Sequence, residues 1–193
     1  FDTFLERCPR DPVAEIGRGE ALMHLSRYDE AAVCYEAVLE SDPENRAALF
    51  GHGMALFCQG RYQEALESVN RVVEADAGAL LLKARLQEAL GRCAAAAECY
   101  TTVVRERPDD TAVVSALAAI LAHLGRHREA IECCEKVLAA DPSNLAAARL
   151  RAGIFEALGE HEEAAKAYER YLDLVPGANI QIERRLEAGR CLQ

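Results

Sequence analysis

Small residues recur along this chain at intervals of 34, 31, 34 and 34 residues. Around each of them, the apolar positions are spaced as on one face of a helix. The first set of small residues is Gly19, Gly53, Ala84, Ala118 and Ala152, and a second set with the same intervals is Ala31, Ala65, Ala96, Ala130 and Ala164. The pattern predicts five copies of a unit made of two antiparallel helices joined by a short turn.

Glycine and proline mark the predicted helix ends. In four copies a glycine follows the first helix: Gly60, Gly91, Gly125 and Gly159. Glycine tolerates the left-handed conformation of a helix C-cap. The first copy has Ser26 at this position, which predicts a weaker stop. A proline such as Pro43 near the end of a second helix blocks its continuation.

The second copy is shorter than the others by three residues. It lacks the proline, and Asp76 runs directly into the sequence Ala-Gly-Ala at 77–79. We therefore expect a local irregularity around 74–79, seen as a shorter second helix or an unusual turn.

These positions resemble the core of the tetratricopeptide repeat (TPR). Within 12–45 the matching residues are Gly19, Leu22, Tyr28, Ala31, Tyr35, Val38 and Pro43. Within 145–178 they are Ala152, Phe155, Leu158, Gly159, Ala164, Tyr168, Tyr171 and Pro176. The resemblance implies an all-α fold, a right-handed superhelical solenoid of antiparallel helix pairs forming a single domain over 1–193.

The implied repeats are 12–45, 46–76, 77–110, 111–144 and 145–178. The segment 1–11 has the pattern of the end of a preceding second helix, and 179–193 has the pattern of a C-terminal helix. We therefore expect the chain to be part of a longer protein. The ends also predict possible self-association, through Phe1, Phe4, Ile182 and Leu186.

Charge and hydropathy narrow the choice of partners. The formal net charge is −10, from 32 acidic and 22 basic residues, with no basic stripe, which argues against a nucleic-acid surface. No apolar run approaches about 18 residues, so we expect no membrane span and no membrane partner. The eight cysteines suit a reducing compartment, and we expect a cytoplasmic protein.

The sequence offers no catalytic or metal-binding motif. The cysteines form no C-x-x-C pair, and Cys34, Cys99 and Cys133 share one position in three copies, which indicates a packing role. His123 and His127 are separated by a predicted turn and do not share a helix. No nucleophile motif, phosphate loop or paired-carboxylate motif is present. We expect no enzymatic activity, no cofactor and no metal.

The family resemblance implies that the first helices line a concave groove that binds a peptide or protein segment. Candidate groove residues are Ile16, Glu20, Met23, Phe50, Met54, Phe57, Leu81, Arg85, Ser115 and Arg149. Other groove positions in repeats four and five are mostly small, a wall that a helix can approach closely: Ala112, Ala119, Ala122, Ala146 and Gly153. The carboxylate clamp of chaperone-binding members is not expected, because Ile16, Glu20 and Gly51 stand where those members carry lysine and asparagine.

One apolar stripe stands out in the second repeat. Phe50, Met54 and Phe57 are spaced i, i+4 and i+7, so they share one helix face. An exposed stripe of this kind marks a binding surface. The alternative is that the stripe packs against neighbouring first helices.

The leading hypothesis is a non-enzymatic scaffold that binds an apolar or amphipathic peptide or helix through repeats one to three. The alternative is the substrate-presenting repeat arm of a larger enzyme, such as a glycosyltransferase or a kinase. The sequences that flank this chain would discriminate between the two hypotheses.

Overall fold

The computed structural model describes residues 11–72 and 76–175, and these residues form ten α-helices and no strand. In chain order the helices are α1 Pro12–His24, α2 Tyr28–Ser41, α3 Arg46–Cys58, α4 Tyr62–Asn70, α5 Ala77–Ala89, α6 Cys93–Glu106, α7 Thr111–His123, α8 His127–Ala140, α9 Leu145–Ala157 and α10 His161–Leu174. The segments predicted to end a preceding repeat (1–11, apart from Asp11) and to form a C-terminal helix (179–193) lie outside the described residues.

The chain divides into two compact units, Phe1–Glu106 and Arg107–Gln193. In the first unit each helix contacts the next along the chain, and the first helices also contact each other, α1 with α3 and α3 with α5. The second unit repeats this arrangement with α7 to α10, including a contact between α7 and α9. We call the side formed by the first helices of each unit its first-helix face. The assignment of 1–193 to one domain stays a prediction.

Tight packing explains the small residues of the repeat. The ring of Tyr35 on α2 lies between α1 and α3 and is only 2% exposed. A β-carbon on Gly19 or Gly51 would lie 2.7 or 2.5 Å from that ring, closer than real β-carbons approach. Glycine at both positions therefore lets the tyrosine fill the space between two repeats.

Helix ends follow the sequence closely. The glycines after α3, α5, α7 and α9 have φ angles of +77°, +72°, +74° and +72°, as a left-handed C-cap requires. Ser26, after α1, has the same conformation with φ at +59°. Every first helix begins at a residue whose side chain accepts a backbone N–H hydrogen bond: Asp11, Asn45, Asp76, Asp110 and Asn144.

The second repeat has the shorter helix that its sequence predicts. Helix α4 has nine residues, whereas α2 has 14. Beyond its end, Arg46 Nη2 lies 2.6 Å from an Asp76 carboxylate oxygen, and Arg71 Nη2 donates to the Pro43 carbonyl at 2.6 Å. These two contacts tie the start of α3 to the start of α5, and the end of α4 to the loop that precedes α3.

Candidate functional site

On the first-helix face of the first unit, α1 presents a mixed surface. Ile16 and Met23 are half-buried and pack against the buried cluster that includes Leu22 and Tyr35. Glu20 is exposed, and its charge adds to the effect of burial in raising the pKa of Tyr35 to about 12. This end of the face therefore combines partly covered apolar side chains with an acidic one.

The predicted stripe on α3 is half-buried. Phe50, Met54 and Phe57 pack against a buried cluster from α3, α4 and α5 that includes Leu56 and Leu82. The Phe57 and Tyr62 rings also contact, with centroids 5.6 Å apart. The stripe thus takes part in packing between repeats, and its role in binding a peptide stays a prediction.

Phe50 also borders a surface cavity at the junction of the second and third repeats. The cavity has a volume of about 390 Å³ and lies beside the start of α3 and the start of α5. Its wall includes Ala47, Val72 and the paired side chains of Arg46 and Asp76.

The two candidate groove residues of the third repeat differ in their exposure to solvent. Leu81 is half-buried and Arg85 is exposed. One helical turn beyond Arg85, the exposed Glu88 accepts a 2.9 Å hydrogen bond from the Tyr100 hydroxyl. Burial, and then this bond, raise the pKa of Tyr100 well above its ordinary value. The Glu88 carboxylate is thereby held in place on the face.

The second unit brings Ser115 and Arg149 together at one cavity of about 200 Å³ between α7, α8 and α9, which we call the α7–α9 cavity. Its exposed rim includes Ala119, Ala146 and Arg149, while Ser115 is half-buried. The inner wall is apolar and consists of Ala118, Cys134, Val137, Ala147 and Leu150.

A neighbouring cavity of about 370 Å³ shares Ala146, Arg149 and Leu150 with the α7–α9 cavity. Ala122 and Gly153 also line it, and a β-carbon on Gly153 would meet no atom within 4 Å. Together the two cavities form an open trough. Small side chains of α7 and α9 line much of it, and His127, Ile154 and Tyr168 line the neighbouring cavity as well. No aspartate or glutamate lines either cavity among the described residues.

The candidate set omitted Cys134, which the structure places on the cavity wall. Cys134 is fully buried, and burial raises the pKa of its thiol to about 11, so the group is uncharged at neutral pH. A signal was present in the sequence, because Cys134 stands at the repeat position that tyrosine occupies at 35, 100 and 168.

The sequence profile of the tetratricopeptide repeat matches residues 16–79, 81–144 and 124–179, which together are most of the chain. The chain belongs to the tetratricopeptide repeat family.

Solved TPR structures share the fold. YrrB, a TPR protein described as having an unusual peptide-binding site, aligns with a TM-score of 0.85 at 18% identity, covering 95% of this chain and 96% of YrrB. MamA aligns with a TM-score of 0.78 at 22% identity, covering 84% of this chain and 91% of MamA. A comparison with curated protein sequences found no match. The predicted all-α solenoid of helix pairs is therefore confirmed.

The TPR repeats of this chain also contain a polar contact that the sequence reasoning missed. His52 Nδ1 lies 2.9 Å from the Ser68 hydroxyl, and His52 Nε2 lies 3.2 Å from a Glu36 carboxylate oxygen. The Ser68 hydroxyl also lies 3.3 Å from the Glu64 carbonyl oxygen. Ser68 is buried, and the arrangement joins α2, α3 and α4.

Other chemistry-bearing TPR residues are dispersed. His123 ends α7 and His127 begins α8, so they lie on different helices as predicted. Over 11–72 and 76–175, no three His, Cys, Asp or Glu side chains are grouped as a metal site requires. Within the same ranges, no helix is long and apolar enough to cross a membrane.

Proposed function

We propose that this chain is a non-enzymatic protein-interaction scaffold that binds a peptide or a helix along its first-helix face. The observation that carries the proposal is the trough in the second unit. Six predicted groove positions line its two cavities: Ser115, Ala119, Ala122, Ala146, Arg149 and Gly153.

The shape and chemistry of the trough suit a peptide. The small side chains of α7 and α9 in its lining let the backbone of a ligand approach closely there, and a β-carbon on Gly153 would meet no atom within 4 Å. Arg149 supplies a charged group at the rim. An apolar floor with few polar groups is the common composition of a ligand site, in which the polar groups fix orientation.

The partner class follows from charge and from the family. A net charge of −10 disfavours nucleic acid, so the proposed ligand is a protein segment. The peptide-binding site described for YrrB supports the same role here, on the basis of a shared fold. Six free cysteines among the described residues fit a reducing compartment, and we place the protein in the cytoplasm.

The first unit offers a second surface for the same ligand class. The half-buried side chains of Phe50, Met54 and Phe57 leave part of their area open on α3. Methionine adapts its shape to different partners, which suits a surface that accepts peptides. In the proposed function, this stripe makes apolar contacts with the ligand, and the trough lets the backbone of the ligand approach the protein closely.

The test is selection of random 12-residue peptides on the immobilised chain, followed by affinity measurement on variants. Phe57→Asp alters the face of the first unit, and Gly153→Phe blocks the trough of the second. Val33→Asp is the control, because Val33 is 63% exposed on the second helix α2. We expect binding to fall about tenfold or more in at least one face variant, equivalent to about 1.4 kcal/mol, and to be unchanged in the control.

Circular dichroism and a thermal melt of each variant would establish that the fold is kept. Enrichment of no peptide, or of peptides that respond only to Val33→Asp, would reject the proposed function.

A further inference from the structure

The α7–α9 cavity lies where the first repeat holds a tyrosine ring. Tyr35 packs between Gly19 and Gly51. Residues 99 positions later take the same places in the fourth and fifth repeats, and all three line the cavity: Ala118, Cys134 and Leu150. The replacement of tyrosine by cysteine removes a ring, and Leu150 stands where Gly51 stands in the second repeat.

The volume of the cavity matches an aromatic ring. Its volume is about 200 Å³, and its inner wall is apolar. A cavity of roughly 150 Å³ lined by aliphatic side chains is large enough to bind benzene. Cys134 and Val137 on the inner wall are fully buried, and the Cys134 thiol is uncharged at neutral pH because burial raises its pKa. Nothing on this wall disfavours an apolar ring.

The rim of the cavity has a cationic group that is unpaired within residues 11–72 and 76–175. Arg149 is exposed and forms no hydrogen bond or ion pair with any residue in the described part of the chain. By contrast, Arg27, Arg61 and Arg126 each pair with a glutamate three residues later. No carboxylate of the described residues lines the cavity, so Arg149 is available to a carboxylate of the ligand.

We propose that the α7–α9 cavity binds an aromatic side chain of a peptide ligand, and that Arg149 pairs with a carboxylate near that side chain in the ligand. This inference rests on the proposed function and names the ligand class of its second-unit site. In this arrangement the aromatic ring of the ligand lies in the cavity near Cys134, and the pair between Arg149 and the ligand carboxylate lies at the rim.

The cavity is tested first with toluene, an analogue of the phenylalanine side chain. In amide-resolved NMR spectra of the full chain, we expect toluene to shift the resonances of Ala118, Cys134 and Ala147. Ala119→Phe, a change at the exposed rim, should abolish the shifts. Ala139→Phe, the same change at an exposed position of α8 outside the cavity, should leave them intact. Absence of shifts at these three residues in the wild-type chain would overturn the inference.

The ligand class is tested with the peptides selected on the wild-type chain. We expect them to carry an aromatic residue with Asp or Glu within four positions. Replacing the aromatic residue by alanine, or changing Arg149→Glu, should weaken binding about tenfold or more, as for the loss of an anchor residue. Reversing the charge of the peptide's acidic residue should restore binding to the Arg149→Glu variant.

The outcomes separate this inference from the proposed function. Peptides that bind but respond neither to Ala119→Phe nor to Arg149→Glu would overturn the inference and leave the proposed function standing. Failure to select any peptide would reject the proposed function and this inference with it. Loss of binding with Ala119→Phe but not with Ala139→Phe, together with the charge-reversal rescue, is the supporting result.

Discussion

Ser26 has a left-handed backbone conformation. In the other four repeat turns the residue with this conformation is a glycine. The φ angle of Ser26 is +59°, and this conformation strains any residue with a β-carbon. We predict that Ser26→Gly raises the free energy of unfolding by roughly 0.5–1 kcal/mol, the strain relieved minus the added entropy of the unfolded chain. Urea denaturation measures the change.

Gly125→Ser is the reverse experiment. A β-carbon on Gly125 would meet no neighbour within 4 Å, so any cost comes from the backbone alone. We expect a loss of similar size to the gain from Ser26→Gly. Equal stability of both variants and the wild-type chain would show that the turns do not discriminate between glycine and serine.

Tyr35 makes stability sensitive to alkaline pH. Burial, and then the charge of Glu20, raise its pKa to about 12 in the folded chain, from about 10 when unfolded. Between these values the unfolded state loses the proton and the folded state keeps it, so the free energy of unfolding falls as pH rises. We predict that Tyr35→Phe makes the melting temperature less dependent on pH between 10 and 12, with Tyr28→Phe as the control. Parallel curves for wild type and Tyr35→Phe would contradict this.

At the residue scale, the periodic positions were predictable because equivalent residues make equivalent helix contacts and turns in each repeat. Gly60 and Gly125 could be assigned to turns, and Ala84 and Ala118 to close helix contacts, from spacing alone. At Ser26 the sequence predicted only a weaker stop, and its left-handed conformation was not predicted. The hydrogen bonds from His52 to Ser68 and Glu36 were not predictable, because they depend on the rotation of three helices about their axes.

The shortened α4 has a compensating contact at the start of the next helix. Asp76 caps α5 through a 2.9 Å hydrogen bond from the Ala79 N–H, and also pairs with Arg46. We predict that Asp76→Ala lowers the free energy of unfolding by about 1–2 kcal/mol, of which the cap contributes about 1 and the exposed pair up to about 1. Hydrogen exchange should report the loss first at the N-terminal turn of α5.

Asp110→Ala is the matched control for this prediction. Asp110 caps α7 through a 3.2 Å hydrogen bond from the Val113 N–H, and its carboxylate forms no ion pair with an arginine among the described residues. The decrease in the free energy of unfolding caused by Asp110→Ala should therefore come from the cap alone. A double-mutant cycle of Asp76→Ala with Arg46→Ala isolates the ion pair, and a zero coupling energy would assign the whole effect to the cap.

At the scale of elements, the order and pairing of the helices were predictable, and the shorter second helix of the second repeat was predicted correctly. The contacts that accompany the shortening were not, since Arg46 and Asp76 are 30 residues apart and meet only after α4 ends early. The stripe of Phe50, Met54 and Phe57 was correctly placed on one face. Its degree of burial depends on the cluster that α3, α4 and α5 form together.

Across the whole molecule, net charge opposes compactness. With a formal charge of −10, and with exposed pairs that are each worth little, we expect repulsion among the acidic groups to exceed the attraction of the pairs. We predict that raising NaCl from about 20 to about 500 mM increases the melting temperature, because the added salt shortens the Debye length to less than about 10 Å and so screens repulsion between more widely separated charges. A decrease would show that pairs such as Arg61 with Glu64 outweigh the net charge.

At this scale, the helices that line the trough were predictable from the sequence, but its cavities were not. The resemblance to the family indicated which helices would line a groove, and Ser115 and Arg149 were both named. The cavity between α7, α8 and α9 results from the sizes of side chains that come from two repeats. Such a volume appears only when Cys134 and Leu150 are placed against each other in three dimensions.

The packing of Tyr35 against Gly19 and Gly51 has a consequence for how such a chain can diversify. The ring belongs to one repeat, and one of the two glycines that accommodate it belongs to the next. A duplicated copy of repeat one can be followed only by a repeat with a very small residue at the place of Gly51. Leu150 stands at that place in repeat five, so repeat five cannot follow repeat one without a second substitution. Gene rearrangement that shuffles these modules is therefore restricted to pairs in which the residue at the place of Gly51 leaves room for the side chain at the place of Tyr35.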